Sequence, residues 1–346
     1  MAPRPEAGHG FEHRFVVPDI FGQSTGGTVF NRELISGLRA RDVPADVLDV
    51  TAAERALQAG LGGTYWIDTL FLTIVPKLAR LTGPGQELGL LAHYLPSLVR
   101  YGAAVTPSEL SYGETAALGA VAVVVAPSEF MRETLIRLGV EGRRVAVVEP
   151  GRLATGLAPL PPPSEKLRAV VVAHLVAGKG VHRLLAALAT RVQARDGLTL
   201  EVLGSLTEDA AYADACRVFA RAPSLRERVT LVGLLSPAEV NERLAVSDVL
   251  LSASSMESYG MALAEARALG VPIVARTGGN VAGLVSSESG GELVADAAGV
   301  AAACVALCRD PAELAVRRER ARHAAFAPRA WSRVAEEFLE RVAASG

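Results

Sequence analysis

Glu257 and Glu265 stand eight positions apart in the segment Glu257-Ser258-Tyr259-Gly260-Met261-Ala262-Leu263-Ala264-Glu265. An apolar run over 249–251 precedes it, and Leu269-Gly270-Val271-Pro272-Ile273-Val274-Ala275 follows. That order predicts a strand, a polar loop, a short helix, a glycine stop and a second strand. The loop therefore falls at the carboxyl end of a strand, where open α/β sheets bind ligands. Each carboxylate can accept several charge-assisted hydrogen bonds, which suits the hydroxyls of a sugar. Taken alone, the same pair also fits a solvated helix face.

Three further constellations sit where a strand gives way to a loop. In Gly22-Gln23-Ser24-Thr25-Gly26-Gly27-Thr28, adjacent glycines let backbone N–H groups approach a ligand at a helix amino end, which favours negative charge. The pattern is not Gly-x-Gly-x-x-Gly, and Asp49 lies within Leu-Asp-Val rather than as a ribose acid, so a dinucleotide site is disfavoured. In His174-Leu175-Val176-Ala177-Gly178-Lys179-Gly180, Lys179 stands next to a helix start, where an ammonium and backbone dipoles can together hold a diphosphate. It is not a Walker loop, because the glycine spacing and the Ser/Thr after Lys are missing. His93, in Leu91-Ala92-His93-Tyr94-Leu95-Pro96, reads either as a structural histidine or as a donor to a sugar hydroxyl. No carboxylate in the first half is obviously placed as a nucleophile.

The elements that must position these residues alternate. Strands are predicted over 15–17, 45–50, 90–93, 122–126 and 144–148, with helices after Thr28, near 97–101, from Ser108 and from Pro127-Ser128 to Gly139. Val29, Leu34 and Leu38 mark the apolar side of the first helix, and Ser128 offers an N-cap. Glu149-Pro150-Gly151 and Pro161-Pro162-Pro163 make the clearest boundary. The rhythm then restarts, with strands over 169–173, 198–203, 229–232, 249–251, 272–275 and 292–294. Such alternation means helix-covered parallel sheets, one in each half.

Composition agrees. With 346 residues, 50% apolar content and 33 glycines, the chain is large enough for two close-packed α/β domains. A net charge of -2 argues against nucleic acid as partner. Arg132, Arg137, Arg143 and Arg144 read as a solvated helix face. Cys216, Cys304 and Cys308 make no disulfide framework or metal set, and the last two read as core residues. The first ten residues lack the apolar centre of a signal peptide, and no run is long enough for a membrane span, so a reducing cytoplasm is expected.

Taken together and in order, these motifs resemble the retaining glycosyltransferases of family 4, which have the GT-B fold. The resemblance rests on Gly26-Gly27, Pro127-Ser128, Lys179-Gly180, Glu257-Ser258-Tyr259-Gly260 with Glu265, the 269–275 segment and Thr277-Gly278-Gly279-Asn280. It implies two Rossmann-like domains facing each other across a central cleft, over 1–155 and 156–328, with a helix over 329–346 packing back on the first. It implies retaining transfer from a nucleoside-diphosphate sugar, UDP- or GDP-linked, to a small-molecule or glycan acceptor, with no other cofactor and no metal. By resemblance, His93, Lys179 and Glu257 form the catalytic set. Gly26, Gly27, His174, Lys179, Gly180, Glu257, Tyr259, Gly260, Met261, Glu265 and Gly279 bind the donor, Glu257 at the sugar, Glu265 at the ribose and Lys179 at the diphosphate. Contact with a membrane surface stays open.

Three departures stand out. His174 takes the place of the family's usual Arg, Ala282 replaces a common acidic residue, and the first domain is short before His93. They keep two rivals open: a degenerate sugar-nucleotide-binding module without catalysis, and a sugar-nucleotide epimerase.

Overall fold

The computed structural model describes residues 12–19, 25–153, 156, 157, 159, 164–327 and 329–345. Gly22, Gln23 and Ser24 of the glycine-rich segment, the first ten residues and Pro161 to Pro163 lie outside the described residues. The chain divides into two compact units, residues 1–151 with 330–346, and residues 152–329.

In the first unit the order is β1 (His13–Val16), α1 (Gly26–Arg39), β2 (Ala45–Leu48), α2 (Val50–Gln58), β3 (Gly63–Asp68), α3 (Val75–Ala79) and β4 (Gln86–Leu91). It continues with α4 (Pro96–Tyr101), α5 (Tyr112–Ala120), β5 (Val123–Ala126), α6 (Glu129–Arg137) and β6 (Val145–Val147). The second unit runs β7 (Leu167–Val172), α7 (Val181–Arg191), β8 (Leu198–Leu203), α8 (Ala210–Ala220), β9 (Val229–Gly233) and α9 (Pro237–Ala245). It closes with β10 (Val249–Ser252), α10 (Met261–Leu269), β11 (Ile273–Arg276), α11 (Val281–Leu284), β12 (Glu292–Val294), α12 (Ala297–Arg309) and α13 (Pro311–His323). The final helix, α14 (Ser332–Ser345), belongs to the first unit.

Each unit holds one six-stranded sheet, ordered β2-β1-β3-β4-β5-β6 and β12-β11-β10-β7-β8-β9, and the paired strands are parallel. In the first sheet the chain winds one way from β1 and the other way from β3. In the second it winds one way from β7 and the other from β10. The carboxyl ends of β1/β3 and of β7/β10 are therefore the topological switch points, the places such sheets reserve for ligands.

Several expectations change in the first unit: the strand predicted over 90–93 is the end of β4, and the helix predicted from Ser108 begins at Tyr112. The strand predicted over 45–50 stops at Leu48, because Asp49 caps α2 by accepting the Ala52 N–H at 2.7 Å. The buried stripe of α1 is Phe30, Leu34, Ile35 and Leu38, with Val29 only half-buried. β3, which the sequence pattern does not predict, runs through the middle of the sheet. Its Trp66 is fully buried, meets Phe338 of α14 edge-on at 4.8 Å and donates from Nε1 to His13 Nδ1 at 3.1 Å. Burying Trp66 and Phe338 contributes roughly 1.5–3 kcal/mol each, which ties α14 to this core.

In the second unit the predicted strands recur within a residue or two. Cys216 and Cys304 are buried and Cys308 half-buried, all as free thiols, and burial pushes Cys216 up to about 11.

Candidate functional site

The β7/β10 switch point gathers the polar residues of the second unit. The loop after β7 carries His174 and Lys179, that after β10 carries Glu257, and that after β11 carries Gly278-Gly279-Asn280. Lys179 Nζ donates to Glu257 Oε1 at 2.7 Å, with the side chains 33% and 17% exposed. Lys179 is a third exposed, so solvent screens the pair in part and an incoming anion can compete for the ammonium.

The loops interlock through their backbones. Ser255 donates from N and Oγ to Gly178 O at 2.9 and 3.0 Å. Asn280 N donates to Glu257 O at 2.7 Å, and Asn280 Nδ2 donates to Tyr259 O at 2.8 Å. Gly180 has φ +68, and a Cβ there would stand 2.2 Å from Ala253 O. Gly279, at φ +64, would meet Glu257 O at the same 2.2 Å. Only glycine fits either position.

Glycine also starts the two helices beside this pair. α7 begins after Gly180 and α10 after Gly260, at φ +92, and in neither can the N-cap residue supply a side-chain cap. By contrast, α8, α9, α12 and α13 are capped by Asp209, Ser236, Asp296 and Asp310. In the first turn of α7 the His182 N–H already donates to Tyr212 Oη at 3.0 Å, so the N–H groups open to an anion are those of Val181 and Arg183 beside Lys179, and those of the first turn of α10 just past the Glu257 loop.

The remaining predicted residues are placed as follows. Met261 opens α10 and is half-buried. Glu265 stands one turn into α10, where Oε1 accepts the Leu153 N–H at 2.8 Å. The Tyr259 ring is 5% exposed and packs in the core, with its hydroxyl 3.4 Å from Arg152 Nη2. His174 Nδ1 accepts the Ser205 N–H at 2.9 Å, so that nitrogen serves the backbone after β8.

At the β1/β3 switch point of the first unit the groups are buried or, for His93, nearly so, and the bonding is different. Asp68 closes β3, Asn31 lies in the second turn of α1, and His93 follows β4. Asn31 Nδ2 donates to Asp68 Oδ2 at 2.7 Å, and Asn31 Oδ1 lies 2.8 Å from His93 Nε2. Asp68 Oδ1 accepts the Leu70 N–H at 2.8 Å. Burial pushes the His93 pKa down, and the Asp68 charge offsets part of that. The His93 ring meets Phe30 edge-on at 5.2 Å, and a Cβ on Gly27 would come within 3.1 Å of its Cδ2. Gly26 and Gly27 form the first turn of α1, whose amino end is closed by a reciprocal Thr25–Thr28 capping box.

A model of the group 1 glycosyl transferases matches residues 157–324, almost all of the second unit. The chain is 30% identical over 132 residues to the D-inositol 3-phosphate glycosyltransferase of Segniliparus rotundus, spanning 38% of this chain and 29% of that protein. It is 30% identical over 228 residues to the protein of the same name from Xylanimonas cellulosilytica, spanning 59% and 54%. It thus covers about half or less of the length of the curated relatives it matches. Over 96% of this chain and 99% of the other, it superposes on Anabaena HepE in complex with UDP and glucose, with a TM-score of 0.75 at 16% identity. The chain has a GT-B-like fold. Its second unit is glycosyltransferase-like in sequence as well.

Neither Asp68 nor Asn31 stands out in the sequence, where no carboxylate of the first half is obviously placed as a nucleophile. Asp68 is a carboxylate at the switch point, with both its oxygens occupied by hydrogen bonds. The signal for it was weak: Tyr65-Trp66-Ile67-Asp68 continues into Thr69-Leu70-Phe71-Leu72 with no turn residue to end a strand. Among the described residues no three His, Cys, Asp or Glu converge to hold a metal, and no helix is long and apolar enough to cross a membrane.

Proposed function

We propose that the protein transfers a glycosyl group from a nucleoside-diphosphate sugar with retention of configuration, as a member of glycosyltransferase family 4. The observation that carries this reading is the Lys179–Glu257 pair beside two glycine-started helices at the second unit's switch point. A diphosphate supplies two or more negative charges for Lys179 and the helix N–H groups. Glu257, released from Lys179, is then free to accept hydrogen bonds from the donor sugar. Glu265 accepts from the ribose while keeping its bond to Leu153. As the glycosidic bond breaks, charge grows on the departing phosphate, where fixed donors contribute most. The first unit is assigned the acceptor, a small molecule or glycan. The HepE complex with UDP and glucose favours UDP as the carrier. Three free cysteines suit a reducing cytoplasm.

The test is a thermal-shift series with UDP, GDP, their sugars and NAD. A ligand at 100 times its Kd stabilises the fold by about 2.7 kcal/mol. The expected result is a rise in Tm with a nucleoside diphosphate and its sugar and none comparable with NAD. A rise with NAD alone would reverse the assignment. A second reading, binding without transfer, is favoured by the commitment of His174 Nδ1 to Ser205, which leaves Lys179 as the one side-chain cation of its loop. Stabilisation by UDP-sugars without their consumption in any acceptor screen would support it.

A further inference from the structure

The Asp68–Asn31–His93 cluster determines where a proton sits. A carboxylate only accepts hydrogen bonds, so Asn31 must turn Nδ2 towards Asp68 Oδ2, 2.7 Å away. That leaves Asn31 Oδ1 facing His93 Nε2 at 2.8 Å. The other polar atom near Nε2 is Asp68 Oδ2 at 3.5 Å, also an acceptor. Both neighbours require Nε2 to donate. In the neutral ring the lone pair is then on Nδ1, which has no hydrogen-bond partner among the described residues. Rotation of the Asn31 amide would set two donors against Nε2–H and a carbonyl against a carboxylate. Asp68 cannot turn without losing the Leu70 N–H on its other oxygen. Phe30 against the ring and Gly27 beside it leave the imidazole little room to move.

We infer that Asp68, acting through Asn31, is a positioning residue that holds His93 with its proton on Nε2 and offers Nδ1 as an acceptor to a substrate hydroxyl. The substrate half of this inference rests on the proposed glycosyl transfer; the proton half does not. It reverses the role that the sequence suggests for His93, from a donor to a sugar hydroxyl to an acceptor from one. The polarity follows from bonding geometry, since swapping donors and acceptors in this chain needs Asp68 to be neutral or absent.

The experiment is long-range ¹H–¹⁵N correlation on histidine-labelled protein near pH 7, with the His93 signals assigned by their loss in His93→Gln. The wild-type ring should show a protonated Nε2 and an unprotonated Nδ1. A proton on Nδ1 would overturn the inference with no variant needed. In Asp68→Asn the new amide keeps the Leu70 bond through its oxygen and turns its NH₂ to Asn31. Asn31 then reverses, and the His93 proton should move to Nδ1. An unchanged tautomer in a folded Asp68→Asn removes Asp68 from the role. Turnover should fall on the order of 10²- to 10⁴-fold in kcat, the range for a misplaced catalytic proton, with donor KM little changed. A reversed tautomer with normal kcat would refute the substrate half. Absence of transfer by the wild type would sink the proposed function and that half together, while the tautomer still decides the part played by Asp68.

Discussion

The two units use one architecture for opposite kinds of site. Each presents its polar residues at the switch point of a six-stranded parallel sheet. In the second unit these are a half-buried ion pair, two glycine-started helix ends and loops that only glycine can make. In the first they are a buried carboxylate, a buried amide and a nearly buried imidazole joined by hydrogen bonds. A partly solvated charge pair beside helix amino ends is ready to exchange partners with an anion. A buried network with its bonds already made is rigid and costly to break. The comparison suggests a division in which one sheet binds charge and the other orients a proton.

The largest effect should come from a backbone change in the second unit. Gly180→Ala puts a side chain at positive φ and against Ala253 O, and should cost about 2–4 kcal/mol in denaturant unfolding along with the loss of nucleotide binding. A variant of wild-type stability would mean that the loops do not interlock as described. Next is a paired test of the contrast itself. Asp68→Ala strands the buried Asn31 amide and the Leu70 N–H, and should lower stability by about 1–3 kcal/mol. Lys179→Ala should change stability by no more than about 1 kcal/mol but weaken UDP binding in calorimetry by about 1.5–3 kcal/mol. If both variants lose stability and neither loses binding, the division between the units is wrong.

The smallest effect sharpens the first unit. Burial alone would raise the pKa of Glu114, but hydrogen bonds from the backbone and hydroxyls of Ser97 and Ser111 outweigh it and hold the carboxyl below its ordinary range. These bonds tie the start of α4, four residues after His93, to the start of α5. A depressed folded-state pKa means that the bonds stabilise the fold above the ordinary glutamate value of about 4.3, and that this contribution fades as pH falls through the folded value. Wild type should therefore exceed Glu114→Gln in unfolding free energy at pH 7, with the two curves converging in acid. Parallel curves across that range would show that ionisation of Glu114 adds nothing.

Most of the second unit was legible because its signals are local. Strands over 198–203 and 292–294 fall where the structure has β8 and β12, between clear glycine, proline or polar breaks. Lys179 and Glu257 stood out because a lysine before a helix start and a glutamate in a strand-to-helix loop are visible in a few residues. Their 2.7 Å approach was not visible, since it depends on β7 lying next to β10 across 78 positions of chain. β3 escaped because both its faces are buried, so it shows no alternation, and its apolar run carries on into the following turn.

The sequence by itself therefore determined the α/β alternation, the second sheet's strands and the residue types able to hold a phosphate or a sugar. These depend on periodicity and turn chemistry, which act over a few residues. Only the tertiary structure decided what those residues do to one another. Asn31 is 37 positions from Asp68 and 62 from His93, and the strand order β1-β3-β4 brings them together. The direction of each hydrogen bond, and with it the place of the His93 proton, follows from that packing because a buried donor must find an acceptor wherever the fold puts one.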